Sequence, residues 1–236
     1  MLTLRECECI FQRVNHRSKL REPLRKPARS RKEKEYAARR DGILRAAERL
    51  FAERGFHGTT VSDLADASEF AVGTLYKFFE GKEEVYLHLM LEKLDRFHAE
   101  LEKDADRYPP GLDQIRMLIE ASLRFFEENR DFFKIWILEQ GALEFAIRKA
   151  LAQELERKRA HTVEIFKRSI EKAMKVGEIR KMDPLDLASA LQGLLKTFAR
   201  GWAFNPESPA PIEKAPFIYD LFLQGTKTWG RKKVAA

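Results

Sequence analysis

Residues 55–86 read GFHGTTVSDLADASEFAVGTLYKFFEGKEEVY, and the punctuation of this stretch decides the fold. Gly55 closes an apolar stripe of Ile43, Ala47, Leu50 and Phe51, whose i, i+4, i+7, i+8 spacing is one face of a helix. Thr60 followed by Asp63 has the spacing of a capping box ahead of a short helix, Val61 to Ala67, with Val61, Leu64 and Ala65 turned inward. A third helix, about Val72 to Phe79, follows after a few residues, and Leu75, Phe78 and Phe79 are its core positions. Gly81 then interrupts the chain. Lys82 opens a long helix in which Val85, Leu87, Leu91, Leu94, Phe97 and Leu101 keep one face apolar until Pro109-Pro110. Two short helices joined by a tight turn, with a supporting helix on either side, make a helix-turn-helix layout.

Composition agrees. Among 236 residues, 27 Leu and 26 Ala stand against 7 Val and 8 Thr, and no period-2 alternation, internal repeat or long heptad run occurs. An all-α bundle follows. A hydrophobic content of 44% with 17 Phe excludes a chain disordered throughout. No stretch approaches eighteen uncharged apolar residues, and the start, MLTLRECECIFQRVNHR, lacks the apolar run of a secretory signal, so a cytoplasmic protein is expected. Cys7 and Cys9 stand two apart in a polar context that suits neither a disulfide scaffold nor a zinc module. No metal or cofactor is expected.

Of the 44 Lys+Arg and 37 Asp+Glu, 13 and 5 fall within residues 1–40, leaving 31 bases against 32 acids in the rest. Residues 1–35 therefore read as a basic, flexible arm, or as residues upstream of an internal start near Val14 or Leu20; the sequence leaves both readings open. Arg29, Arg31, Lys32, Lys34, Arg39 and Arg40 are positioned to follow a DNA backbone or enter a minor groove.

Gly55-Phe56, Thr59-Thr60-Val61, Leu64-Ala65, Gly73-Thr74-Leu75-Tyr76, Phe79 and Lys82-Glu83 together resemble the DNA-binding signature of the TetR family of bacterial transcriptional repressors. The resemblance covers about residues 38–90; beyond it only the helical layout corresponds. It implies an all-α fold of about nine helices, with an arm over residues 1–35, a three-helix DNA-binding domain over 36–82, and an effector-binding and dimerisation bundle over 83–236.

The residues expected to meet DNA are Thr60, Gly73, Thr74, Tyr76, Lys77 and Lys82. Gly73 lets the first turn of a recognition helix approach the major groove closely. Thr74, Tyr76 and Lys77 project a hydroxyl, a phenol and an ammonium from that helix. Thr60 and Lys82, at helix starts, are placed to meet phosphates. Two features depart from the family pattern. Glu69 occupies a turn position where glycine is usual, so a left-handed backbone there would cost roughly 1 kcal/mol unless packing by Phe70 holds it. The acid balance is the second: residues 41–90 carry five Lys/Arg against nine Asp/Glu.

After Pro109-Pro110-Gly111, apolar periodicity resumes through Ile115, Leu118, Ile119, Leu123 and Phe126, pauses near Asn129, and continues through Phe132, Phe133, Trp136 and Ile137. A long helix from about Leu143 to Val176 follows. A stripe of Leu187, Leu191, Leu194, Leu195, Phe198 and Trp202 comes next, then the loop NPESPAPIEKAP and a last helix with Phe217, Ile218, Leu221 and Phe222. The resemblance implies an effector cavity here, lined by Phe126, Phe133, Trp136, Glu139, Phe166 and Trp202, with Leu138 as a further wall residue and Gln140 or His161 as further polar handles. Such aromatic walls suit a lipophilic or planar small molecule. It also implies a homodimer through the last two helices, with Leu187, Leu191, Leu194, Phe198, Phe217 and Leu221 in the interface and Ala190, Gly193 and Gly201 permitting close approach.

The expectation is a ligand-responsive repressor that binds a palindromic operator as a homodimer. A regulator that activates, or that has no effector, is the alternative. An enzyme is disfavoured, because His57, His88, His98 and His161 are scattered and no nucleophile elbow or phosphate-cradling loop occurs. The acid balance of residues 41–90 is the argument for a third class, a DNA-independent interaction protein.

Overall fold

The computed structural model describes residues 30–105, 107–138, 149–205 and 207–227, with Leu138 and residues 149–152 described in backbone only. Cys7, Cys9, Arg29, Glu139 and Gln140 lie outside the described residues or side chains. The chain divides between Ala37 and Ala38 into two units, and of the first only residues 30–37 are described. The described residues form nine α-helices and one 3-10 turn, with no strand beyond an isolated bridge between Ile179 and Lys227.

Helix α1 is Arg31–Arg54. It starts inside the segment that sequence reading took as an arm, for a local reason: the Ser30 amide donates to Glu33 Oε2 (2.7 Å) and the Glu33 amide to Ser30 Oγ (3.3 Å). This capping box outweighs the surrounding charge run. Ile43, Leu44, Ala46, Ala47, Leu50 and Phe51 form the buried face. Helix α2, Val61–Ala67, has the expected Thr60–Asp63 capping box.

The turn after α2 solves the Glu69 problem. Glu69 does adopt a left-handed backbone, φ 61°. The Glu69 amide donates to Asp66 O (3.1 Å) and the Phe70 amide to Ala65 O (2.9 Å), the bond pair of a Schellman ending. Phe70 then packs on the core, its ring edge 3.8 Å from where a Cβ on Gly42 of α1 would stand. The hydrogen bonds and this contact together offset the backbone cost.

Helix α3 is Val72–Leu75, shorter than the expected Val72 to Phe79. Past Leu75 the bonding tightens to i→i+3, with the Lys77 amide on Thr74 O and the Phe78 amide on Leu75 O. This carries Phe79 into the core. Helix α4, Lys82–Ala105, buries Val85, Tyr86, Leu89 and Met90 in its first half and Leu94, Phe97, His98 and Leu101 in its second. The apolar core is continuous along it, from Ile43 and Phe51 to Phe222.

Helix α5, Leu112–Glu128, is the centre of the second bundle. It packs against α4, α6 (Arg130–Leu138), α7 (Lys149–Lys175), α8 (Pro184–Phe204) and α9 (Ala215–Thr226). Asp183 caps α8, accepting from the amides of Leu185 (2.7 Å) and Asp186 (3.1 Å), with Pro184 at the first helical position. The segment read as a loop, NPESPAPIEKAP, contains the 3-10 turn Pro211–Lys214 and the start of α9. Proline suits the first turn of a helix, where its missing amide costs nothing. No helix of the described residues is long and apolar enough to cross a membrane.

Candidate nucleic-acid interface and effector core

The six residues expected to meet DNA separate into two groups. Four are presented outward by α3 and the turn after it. Tyr76 is 55% exposed, and Gly73 and Lys77 are exposed, with Thr74 half-buried between them. Leu75 and Phe79, on the opposite side, are fully buried, so their packing fixes the direction in which Tyr76 points. A Cβ on Gly73 would meet nothing within 4 Å. The chain's own packing therefore places no demand for glycine there, and the free space faces outward.

Thr60 and Lys82 have their polar atoms engaged within the chain. The Thr60 hydroxyl donates to Asp63 Oδ2 (2.6 Å) and accepts from the Asp63 amide (3.1 Å). The hydroxyl bond, a second bond from the Thr60 amide to the same oxygen (2.8 Å) and then the Arg54 charge hold the Asp63 carboxyl below the usual range against the opposing effect of desolvation. Lys82 Nζ donates to the carbonyls of Phe56 and Thr59, both at 2.9 Å, and stands 4.4 Å from the centre of the Phe56 ring. An ammonium so placed ties the α1–α2 turn to the start of α4, and a phosphate would have to compete for it. The amide of Glu80, just before α4, is also taken, by Glu84 Oε2 at 2.5 Å. Thr60 thus caps α2, and Lys82 fixes the turn before it.

Arg40, expected to follow DNA, has its guanidinium engaged within the chain. It pairs with Glu92 Oε1 (2.5 Å), lies 3.1 Å from His88 Nδ1, and covers the Phe79 ring at 5.5 Å. Arg31 pairs with Glu35 one helical turn away. Arg39 is exposed.

Two contributors escaped sequence reading. A Cβ on Gly58 would stand 2.3 Å from the Arg54 carbonyl oxygen, so only glycine closes the turn that delivers Thr60 to α2; its spacing from Gly55 was the available signal. The other is Lys93 of α4, which joins Glu48 of α1 (2.7 Å) to Asn129 Oδ1 between α5 and α6 (3.0 Å). Partners 45 and 36 positions away leave no periodic trace.

In the second bundle the aromatic residues do gather. Phe126 stacks on Phe133 at 4.3 Å, Phe97 lies 5.5 Å from Phe126, and Phe132 meets Trp136 edge-on at 5.4 Å. Phe166 is fully buried. Trp202 is half-buried beneath the Arg130 guanidinium (5.1 Å), which donates to the Ala203 carbonyl at 2.9 Å. His161 lies away from this cluster, against Glu102 (3.2 Å) and edge-on to His98. His98 itself is 4% exposed, with Nε2 2.8 Å from Thr162 Oγ1. Burial, reinforced by the charges of His161 and Lys158, pushes its pKa down to about 4.

The expected interface residues also divide. Phe217 and Leu221 are 55% and 47% exposed, and Phe198 meets Phe217 edge-on at 5.6 Å. Leu187, Leu194 and Phe198 are half-buried, whereas Leu191 is fully buried in the chain's own core. Gly193 and Gly201 have open space around them.

Comparison with known proteins places these geometries. Residues 43–89 match the model of the bacterial regulatory proteins of the tetR family. The chain is 33% identical over 93 residues to the HTH-type transcriptional repressor KstR2 of Mycolicibacterium smegmatis, a match covering 39% of this chain and 45% of that one. It thus spans about half the length of that curated relative. The TetR family regulator PfmR of Thermus thermophilus superposes with a TM-score of 0.68 at 28% identity, over 77% of this chain and 97% of that one. The transcriptional regulator FadR of Bacillus subtilis, solved in complex with stearoyl-CoA, superposes with a TM-score of 0.69 at 21% identity, over 78% and 98% of the two chains. All three are named as transcriptional regulators, none as an enzyme.

Proposed function

The chain belongs to the TetR family of bacterial regulatory proteins, and from that premise we propose that it is a repressor that binds a palindromic operator as a homodimer and leaves it when a lipophilic small molecule binds. Residues 36–82 are the DNA-binding part and residues 83–236 the effector and dimerisation part, and the protein works in the cytoplasm, with the DNA.

One observation carries this reading: Gly73, Thr74, Tyr76 and Lys77 face outward from α3 and the turn after it, whose opposite side is locked in the core. Such a helix is a rigid probe of a groove. A single four-residue helix reads too few base pairs, and two copies related by a two-fold axis, about 34–36 Å apart, read a palindrome. The exposed Phe217 and Leu221 of α9, with open space at Gly193 and Gly201 of α8, support an apolar face for that pairing.

The aromatic cluster of α5 and α6 supports a lipophilic effector. The Bacillus subtilis FadR structure carries stearoyl-CoA, and an acyl compound is the effector class that we carry over. By population shift, an effector that prefers the conformation with mis-spaced reading helices empties the operator. DNase footprinting on the chain's own upstream DNA tests the reading. Two protected half-sites one helical turn apart are expected, and protection that is absent or confined to one unpaired site contradicts it.

A further inference from the structure

Two buried donors in the second bundle have no hydrogen-bond partner among the described residues. Trp136 Nε1 on α6 and Gln192 Nε2 on α8 are unpartnered, in side chains 5% and 6% exposed. Native proteins leave few buried donors unmade, because each forfeits its full hydration. A third donor adjoins them. Lys196, one turn beyond Gln192 on α8, holds Nζ 5.7 Å from the centre of the Trp136 ring. Burial pushes the Lys196 pKa down, Arg159 adds to this, and Glu156 opposes it. Glu156 is committed to Arg159 in an ion pair. The layer between α6 and α8 thus presents an indole N–H, an amide N–H and an ammonium, beside the aromatic cluster of Phe126, Phe132 and Phe133. Donors without acceptors complement an oxygen-bearing group, not hydrocarbon.

We propose that Trp136, Gln192 and Lys196 form the polar end of the effector site and hold the acceptor oxygens of an amphipathic molecule, a carboxylate or an acyl carbonyl, whose hydrocarbon lies along Phe126, Phe133 and Phe166. This rests on the reading of the second bundle as an effector domain. Satisfying donors on both helices draws α6 against α8. Helix α6 begins beside Asn129, which Lys93 joins to Glu48 of α1, so the same movement reaches the DNA-binding helices.

The test uses the full chain with three probes of equal chain length, dodecanoate, dodecanoyl-CoA and 1-dodecanol, read by calorimetry and thermal shift. Gln192→Met and Lys196→Met replace a donor by an apolar group of similar size. Wild-type protein is expected to bind at least one acyl probe more tightly than the alcohol, and each variant to weaken that probe about tenfold or more. Preference for dodecanoate assigns the Lys196 charge to a carboxylate; preference for dodecanoyl-CoA assigns the donors to a carbonyl. Without ligand, the Gln192→Met melting temperature is expected to stay level or rise, since an unmade donor has gone.

Equal binding of all three probes, no binding of any, or unchanged affinity in both variants overturns the proposal. So does a Gln192→Met protein that melts several degrees lower and keeps its acyl affinity, which marks Gln192 as structural. Operator binding, measured on the same samples, separates the two readings. Retained DNA binding without any probe binding removes the site alone, while probe binding through these residues with an indifferent operator removes effector control.

Discussion

Lys93 Nζ lies 2.7 Å from Glu48 Oε1, and both side chains are largely buried, at 21% and 16% exposed. The pair fastens α1 to α4, and Lys93 reaches Asn129 at the start of α6 with a second bond. Removing one partner leaves the other charge poorly solvated, which for a partly buried pair costs about 1–2 kcal/mol. Lys93→Met is therefore expected to lower the melting temperature by roughly 2–8 °C. It is also expected to shrink the change in operator affinity that an effector produces. Titrations of operator with and without effector, on both proteins, measure that coupling.

Gly73 separates folding from reading. Its missing side chain faces open space, so Gly73→Ala is expected to leave stability unchanged or raise it by up to about 1 kcal/mol. If the groove approaches there, the added methyl weakens operator binding by about tenfold or more. Circular-dichroism melting and operator titration of the one variant give the two numbers.

Lys82 has the opposite signature. Its ammonium is bound to two carbonyls, and charge-assisted bonds of this kind contribute about 1–2 kcal/mol together when partly exposed. Lys82→Met is expected to lower the melting temperature by roughly 2–8 °C and to leave the salt dependence of DNA binding unchanged. A slope reduced by about one unit would instead assign the ammonium to a phosphate.

His98 makes stability depend on pH. Its folded pKa is depressed to about 4 from 6.5 by burial, with His161 and Lys158 adding to the effect. Between those values the unfolded chain binds the proton that the folded one refuses. The His98 contribution is thus complete above about pH 6.5 and is lost as pH falls towards 4, about 3 kcal/mol in all. His98→Gln is expected to flatten that part of the stability curve, as measured by urea unfolding from pH 7.5 to 4.5.

Much of the architecture was legible because helices declare themselves through periodicity and caps. Thr60 with Asp63, Asp183-Pro184 and the stripe of Ile43, Ala47, Leu50 and Phe51 all fall where local rules put them. The Ser30–Glu33 box was equally readable, but a net-charge argument concealed it. The division among the residues expected at DNA was only partly legible. The Thr60–Asp63 box already implied that the Thr60 hydroxyl is engaged, whereas only three-dimensional contacts reveal that the Phe56 and Thr59 carbonyls hold the Lys82 ammonium. The inward turn of Leu191 and the Glu48–Lys93–Asn129 bridge likewise depend on which helices become neighbours.

The apolar outer face of α8 and α9 gives a further expectation. Replacing Phe217 and Leu221 by Glu puts two charges on a surface that needs to stay dry for pairing, while neither side chain serves the chain's own core. Sedimentation should move from dimer to monomer with the helical content retained.

Fluorescence anisotropy of the purified protein on DNA from its own upstream region tests the central claim most directly, with Tyr76→Ala and a non-specific duplex of equal length as controls. The account predicts sequence-selective binding that the Tyr76→Ala protein loses while its fold, as seen by circular dichroism, is intact. Equal affinity for both duplexes, or selective binding that survives removal of the Tyr76 ring, would contradict it.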